Sequence, residues 1–109
     1  MTLFMTQFGV PEPTRTIAGL DETVILPAGI NKQPIAKIHI ANVTGNAVTF
    51  DLSVLDDAAV FYLAKGDTVP ANDWIELRDE VLGIGEILRI KAGTAGALHV
   101  SVLSALTER

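Results

Sequence analysis

The chain has 109 residues, enough for one ordinary domain, and its 13 acidic and 8 basic side chains give a formal net charge of −5. The basic residues are spaced singly, which argues against a nucleic-acid partner because phosphate binding needs clustered Lys and Arg. The absence of cysteine excludes disulfides and thiolate chemistry, and no apolar stretch approaches the ~18–20 residues that span a membrane.

The first 20 residues are predicted to form an extended arm. Pro11 and Pro13 lack backbone donors and have a fixed φ, so neither a helix nor a central strand is expected there. At ~3.3 Å per residue, such an arm reaches on the order of 60 Å. A solvated tail seldom carries large apolar residues, whereas this segment contains Leu3, Phe4, Met5 and Phe8. We therefore expect the arm to pack on a neighbouring subunit, and the alternative is a flexible terminus.

From residue 21 to residue 109 the pattern is one of short strands. In the segment 36–42, Ile38 and Ile40 share one face while Lys37 and His39 share the other, which is typical of a half-buried strand. The same alternation, or a β-branched run, predicts further strands near 23–26, 48–54, 60–63, 74–78, 86–91 and 98–102.

Turn-forming residues separate these strands. Thr44-Gly45-Asn46 predicts a tight turn that would join the strands on either side into a β-hairpin, and Lys65-Gly66-Asp67 predicts another turn. Seven or eight short strands without any sustained helical period predict an all-β domain, an antiparallel β-sandwich of jelly-roll type. Its expected core consists of Ile38, Ile40, Val48, Phe50, Leu52, Ile75, Leu77, Leu88, Ile90, Val100 and Val102.

Histidines and glycines give no pattern typical of catalysis. His39 and His99 both fall on the polar faces of predicted strands, and a metal site would need those strands to be adjacent and to bring further ligands. No serine lies in a Gly-x-Ser-x-Gly context. Gly83-Ile84-Gly85-Glu86 lacks the third glycine and the following helix of a dinucleotide-binding fingerprint. We predict no catalytic residue and no cofactor.

The carboxylates and the tryptophan are also interpreted structurally. Asp56 and Asp57 lie at a predicted strand end, and Asp67 and Asp73 lie in later predicted turns, where Asp usually bonds its own backbone. Their spacing matches no EF-hand, so we predict no metal site. Trp74, at a strand start, is expected to fill space in the core or between the sheets.

Three stretches of the chain, within about residues 34–104, share a pattern of strands and turns. They are AKIHIANVTGNAVTFDLSV (36–54), FYLAKGDTVPANDWIEL (61–77) and GEILRIKAGTAGALHVSV (85–102). The pattern consists of a strand ending in Ala-Asn, a Thr-Gly-Asn turn, a Pro-Ala-Asn turn and an Ile-Lys-Ala-Gly sequence, and it resembles that of small virion proteins of tailed bacteriophages. The resemblance implies a non-enzymatic β-sandwich that oligomerises on a capsid or tail.

The resemblance and the apolar arm together predict a capsid decoration (cement) protein. Such a protein would act in the virion, after assembly in the host cytoplasm, as a homotrimer that bridges capsomers and contacts the major capsid protein or another virion protein. No nucleic-acid or membrane partner is expected. The alternatives are a tail, baseplate or fibre-anchoring adaptor and, from a different class, a carbohydrate- or Ca-binding module.

Overall fold

The computed structural model describes residues 13–104 of the chain. The arm residues Leu3, Phe4, Met5, Phe8 and Pro11 therefore lie outside the described residues. Between residues 13 and 104 the chain forms strands and no helix, so this range contains no helix that could cross a membrane. The strands are β1 (Pro13–Ile17), β2 (Thr23–Leu26), β3 (Gln33–Asn42), β4 (Val48–Asp56), β5 (Ala59–Val69), β6 (Trp74–Leu82), β7 (Ile87–Ala92) and β8 (Leu98–Ser104).

The strands form two four-stranded antiparallel sheets. Sheet A has the order β1-β8-β3-β6, and sheet B has the order β2-β7-β4-β5. The pairs β1–β8, β2–β7, β3–β6 and β4–β5 are nested one inside another, as they are when a long hairpin is rolled into a jelly roll. The predicted antiparallel β-sandwich is confirmed.

The core lies between the sheets and consists of alternate residues from both. Nine of the eleven expected core residues are buried, because they lie on strands that have a neighbouring strand on both sides. Ile75 and Leu77 are only partly buried, since β6 forms an edge of sheet A. Fully burying one such side chain contributes roughly 1.5–3 kcal/mol before entropy is subtracted, so the sandwich is specified mainly by this alternation.

The predicted hairpin around Gly45 is wrong, because β3 and β4 lie in different sheets. The connecting segment 43–47 crosses between the sheets and is held by the buried side chain of Asn42. Its amide nitrogen lies 2.7 Å from the Asn46 carbonyl oxygen and 3.0 Å from that of Val69, and its carbonyl oxygen accepts from the Thr44 amide at 2.9 Å. Local alternation alone could not reveal this crossing.

The predicted turn at residues 65–67 is also wrong, because β5 continues through it. Gly66 is an extra residue in the strand: the register with β4 shifts there, and its φ is +66°. Its amide donates to the Asp51 carboxylate at 2.8 Å. A glycine with positive φ makes a β-bulge as readily as a turn, which explains the misassignment.

In the structure the sandwich begins earlier in the chain than the predicted boundary at residue 20 between arm and sandwich. Pro13–Ile17 forms β1, which pairs with β8 from Pro13 opposite Leu103 to Ile17 opposite His99, and Ala18 is buried. A proline is compatible with this position because it is the first residue of an edge strand, where a backbone donor is not needed.

The two ends of the sandwich carry different connections. At one end, which we call the hydrogen-bonded end, lie the segments 18–22, 43–47, 70–73 and 93–97. At the other, which we call the terminal end, β1 begins and β8 ends, and the connections 27–32, 57–58 and 83–86 lie there. The site and the surfaces described below are located by these two ends and by the outer faces of the two sheets.

Candidate functional site

The outer face of sheet A presents a regular array of polar side chains. Strand register aligns one residue of each strand across the sheet, so that the array consists of rungs. The central rung runs from β6 through β3 and β8 to β1 as Glu76, His39, Ser101 and Arg15. On its two sides lie the rung Trp74, Ala41, His99 and Ile17 and the rung Arg78, Lys37 and Leu103.

Ion pairs and stacking order one half of this face. Glu76 contacts Lys37 with 3.6 Å between the ammonium nitrogen and the carboxylate, and it contacts the Arg78 guanidinium at 2.9 Å. The rings of His39 and Trp74 stack with 5.0 Å between their centroids and 29° between their planes. One carboxylate is thus shared by two cations, beside an aromatic pair.

The other half of the face is a shallow groove along β8. Ser101 is small and lies between the longer side chains of His39 and Arg15, which leaves room above it. The groove has two sections of about 320 Å³ and 350 Å³, and both include Arg15 and Ser101. Lys37 and His39 line the first section and His99 lines the second, and no described carboxylate lines either.

The outer-face positions predicted for the two histidines agree with the register. In addition, β3 and β8 are neighbours, so His39 and His99 lie on adjacent strands of one face, two residues out of register. Among residues 13–104 no group of three His, Asp or Glu side chains is placed to hold a metal ion. Trp74 does not fill the core as expected: it is 53% exposed because it begins the edge strand β6.

The aspartates considered as metal ligands are dispersed in the fold. Asp56 and Asp57 lie at the β4–β5 turn of the terminal end, while Asp73 lies at the hydrogen-bonded end, where its carboxylate accepts from the Trp74 amide at 2.7 Å. Asp67 lies within β5. The glycines Gly83 and Gly85 lie in the β6–β7 connection, whose Gly83 amide donates to Glu86. The contacts of Asp73 and Gly83 are local turn contacts.

The outer face of sheet B differs in chemistry. The rung nearest the terminal end is apolar and the adjacent one is mixed, whereas the next rung contains Asp51 with Lys65 and Lys91. On the edge strand β5, Val60, Phe61 and Tyr62 are 41%, 55% and 47% exposed. The apolar rung consists of Ile87, Leu55 and Val60, and the mixed rung consists of Val24, Arg89, Ser53 and Tyr62.

Sequence reasoning missed the basic character of the outer face of sheet A. Arg15, Lys37 and Arg78 are far apart in the sequence, and their single spacing had suggested that no basic patch forms. Each of them alternates with inward-facing residues of its strand, so all three project from the same face once the strand order is known. Strand order was the missing information, because alternation gives a face but not the neighbours.

No protein-family model matches the chain, and no curated protein is significantly similar to it.

Proposed function

We propose that this chain is a non-enzymatic structural subunit of a bacteriophage virion, a capsid decoration protein that bridges capsomers as a homotrimer and contacts the major capsid protein. One observation carries the proposal: large apolar side chains are exposed on β5 and in the loops of the terminal end. We call this set the assembly surface, and it consists of Ile30, Val60, Phe61, Tyr62 and Ile84.

The exposure of these side chains is unfavourable for an isolated subunit. Ile30 is 87% exposed and Ile84 is 64% exposed, in two loops joined by the hydrogen bond from the Gly85 amide to the Gly29 carbonyl at 2.9 Å. Solvent-facing strand residues of an antiparallel sheet are normally polar, yet the edge strand β5 exposes large apolar or aromatic side chains on both of its faces. Large exposed apolar patches mark interaction surfaces, and the concentration of exposed apolar residues at the terminal end supports its burial against another protein.

The edge strand β5 offers a second means of association. Among the described strands, β5 pairs only with β4, so no described strand pairs with its outer side, to which an extended segment can add. Residues 1–12 precede Pro13, which lies at the terminal end, and they reach at most about 40 Å at ~3.3 Å per residue. We propose that the arm of a neighbouring copy, with Leu3, Phe4, Met5 and Phe8, covers this edge.

The strand order supports a virion role by analogy. Eight-stranded jelly rolls occur in viral coat domains and in lectins, and fold alone does not determine function. The sequence resemblance to phage virion proteins favours the first of these. A tail, baseplate or fibre-anchoring adaptor would use the same assembly surface, and labelled-chain imaging of purified virions distinguishes head from tail.

A second candidate function is a carbohydrate-binding module, and one observation favours it. Trp74 is exposed and stacks on His39 at the outer face of sheet A, and an exposed aromatic ring beside polar groups is a suitable surface for a sugar. This candidate predicts glycan binding by a chain that stays monomeric.

The assembly proposal is tested by the mass of the chain in solution. We expect light scattering to give three times the chain mass of 11.6 kDa. Phe61→Ser, or deletion of residues 1–12, should give monomers with unchanged circular dichroism, because both remove apolar contacts at the assembly surface and leave the core intact. Val43→Ser is the matched control, since Val43 is 53% exposed against 55% for Phe61 but lies at the hydrogen-bonded end.

A monodisperse monomer of the unmodified chain would contradict the proposal, as would equal effects of Phe61→Ser and Val43→Ser. The virion assignment has its own test, namely binding of the purified chain to phage capsids that lack it. A chain that forms trimers but does not bind capsids or tails would retain the assembly surface and refute the virion role.

A further inference from the structure

The groove on the outer face of sheet A has a charge opposite to that of the chain. The chain carries a net charge of −5, yet Arg15 and Lys37 line the groove together with His39 and His99, and no described carboxylate lines it. The nearby Glu76 is engaged by Lys37 and Arg78. The local excess of cationic groups therefore lies over Ser101, in the middle of the sheet.

We propose that this groove binds the oxyanion of a small polar ligand, either an acidic saccharide or a phosphorylated compound. The inference is independent of the assembly proposal, because the groove lies on the sheet opposite to the one that carries β5. A small oxyanion is the chemistry that the lining residues recognise, and three features of the groove support this.

The first feature is the set of donors. The guanidinium of Arg15 offers planar, bidentate hydrogen bonds to a carboxylate, sulfate or phosphate. Among the described residues, no carboxylate forms an ion pair with Arg15. Across the groove from Arg15 lies Lys37 as a second cation, and the Ser101 hydroxyl on the floor is both a donor and an acceptor. An oxyanion above Ser101 would thus lie between Arg15 and Lys37, of which Lys37 also contacts Glu76 at 3.6 Å.

The second feature is size and support. At about 320 Å³ and 350 Å³, the two sections lie at the lower end of the ~300–1,000 Å³ range of small-molecule sites. Arg15, Lys37, His39 and Ser101 all belong to strands of one sheet, so ladder hydrogen bonds fix the spacing of their backbones. A site on strands is held more precisely than one on loops.

The third feature is the chemistry at the margins of the groove. Leu103 and Ile17 form apolar parts of the lining, which suits the carbon skeleton of an organic anion better than a free hydrated ion. Trp74 stacks on His39 at the edge of the first section. A sugar ring linked to the bound carboxylate or sulfate would find an aromatic surface there.

The test uses the full chain and calorimetric titration with three probes: methyl glucuronide, neutral methyl glucoside and inorganic phosphate. We expect an anionic probe to bind and the neutral sugar not to bind. Arg15→Gln should weaken binding about tenfold, the effect of losing one charge-assisted contact. The matched control is Lys91→Gln, which removes one positive charge from an exposed residue of sheet B. It should change affinity less than twofold, because salt screens an exposed charge that lies outside the groove.

A second variant tests the groove itself without altering its charge. Ser101→Leu fills the floor and should abolish binding while Arg15 and Lys37 remain, provided that circular dichroism shows a folded sheet. Binding of glucuronide assigns the oxyanion to an acidic saccharide, and binding of phosphate alone assigns it to a phosphorylated ligand. The inference is overturned if neither anion binds, or if Lys91→Gln weakens binding as much as Arg15→Gln.

Discussion

The two ends of the sandwich are both built from short loops but are stabilised in different ways. At the hydrogen-bonded end, backbone bonds connect separate loops, including Asn42 to Asp73 at 2.8 Å and Asn72 to Thr44 at 2.9 Å. At the terminal end, a single backbone bond, between Gly85 and Gly29, connects separate loops of the described chain.

Exposed apolar side chains occur at both ends, yet they are most exposed at the terminal end. Ile30, Ile84 and Val81 have the three highest exposed fractions among the large apolar residues described, at 87%, 64% and 62%. The loops at the hydrogen-bonded end are therefore held by bonds within the chain, whereas the terminal end retains exposed apolar surface that another molecule can bury. Stability and association should therefore depend on opposite ends of the molecule.

The largest expected effect is at Asn42, which is 3% exposed. Asn42→Ala should lower the free energy of unfolding by about 3 kcal/mol, because it leaves the Val69 carbonyl and the Thr44 amide without their side-chain partner in a buried position. Urea denaturation measures the change. Asn46→Ala is the control, since the backbone carbonyl that Asn42 uses remains, and a shift within about 0.5 kcal/mol is expected. Equal losses would show that the network is not the source of stability.

A smaller effect is expected at Gly96, also at the hydrogen-bonded end. Its φ is +74°, and its amide donates to the Ala18 carbonyl at 3.1 Å. Gly96→Ala should cost about 1 kcal/mol from backbone strain alone, since an added Cβ meets no atom within 4 Å. Gly45→Ala is matched in open space but lacks a positive φ, so thermal unfolding should show no loss. A loss of the same size at Gly45 would contradict the role of φ.

The smallest effect on stability is expected at the terminal end. The double substitution Ile30→Ser and Ile84→Ser should change the free energy of unfolding by less than about 0.5 kcal/mol, because both side chains are largely exposed. Sedimentation velocity of the same variant should show weaker self-association. Marked destabilisation without any change in self-association would contradict the assignment of association, rather than stability, to the terminal end.

The sequence predicts the faces of the strands better than it predicts their partners. Leu88 and Ile90 are buried as expected, because alternation places both on one face of β7. The crossing at residues 43–47 could not be predicted, since the Asn42 side chain bonds to Val69, which is distant in sequence. The groove was missed for the same reason: Arg15 and Lys37 approach each other only because β8 lies between their strands.

The position of β8 between β1 and β3 also constrains the order in which the fold can be completed. A ribosome makes β8 after the other seven strands, and β7 must likewise enter between β2 and β4. A nascent chain that ends before β7 can pair β3 with β6 and β4 with β5, but β1 and β2 have no partner strand. Both sheets therefore stay incomplete until β7 and β8 have been made, and incomplete sheets with unpaired strand edges are prone to aggregate.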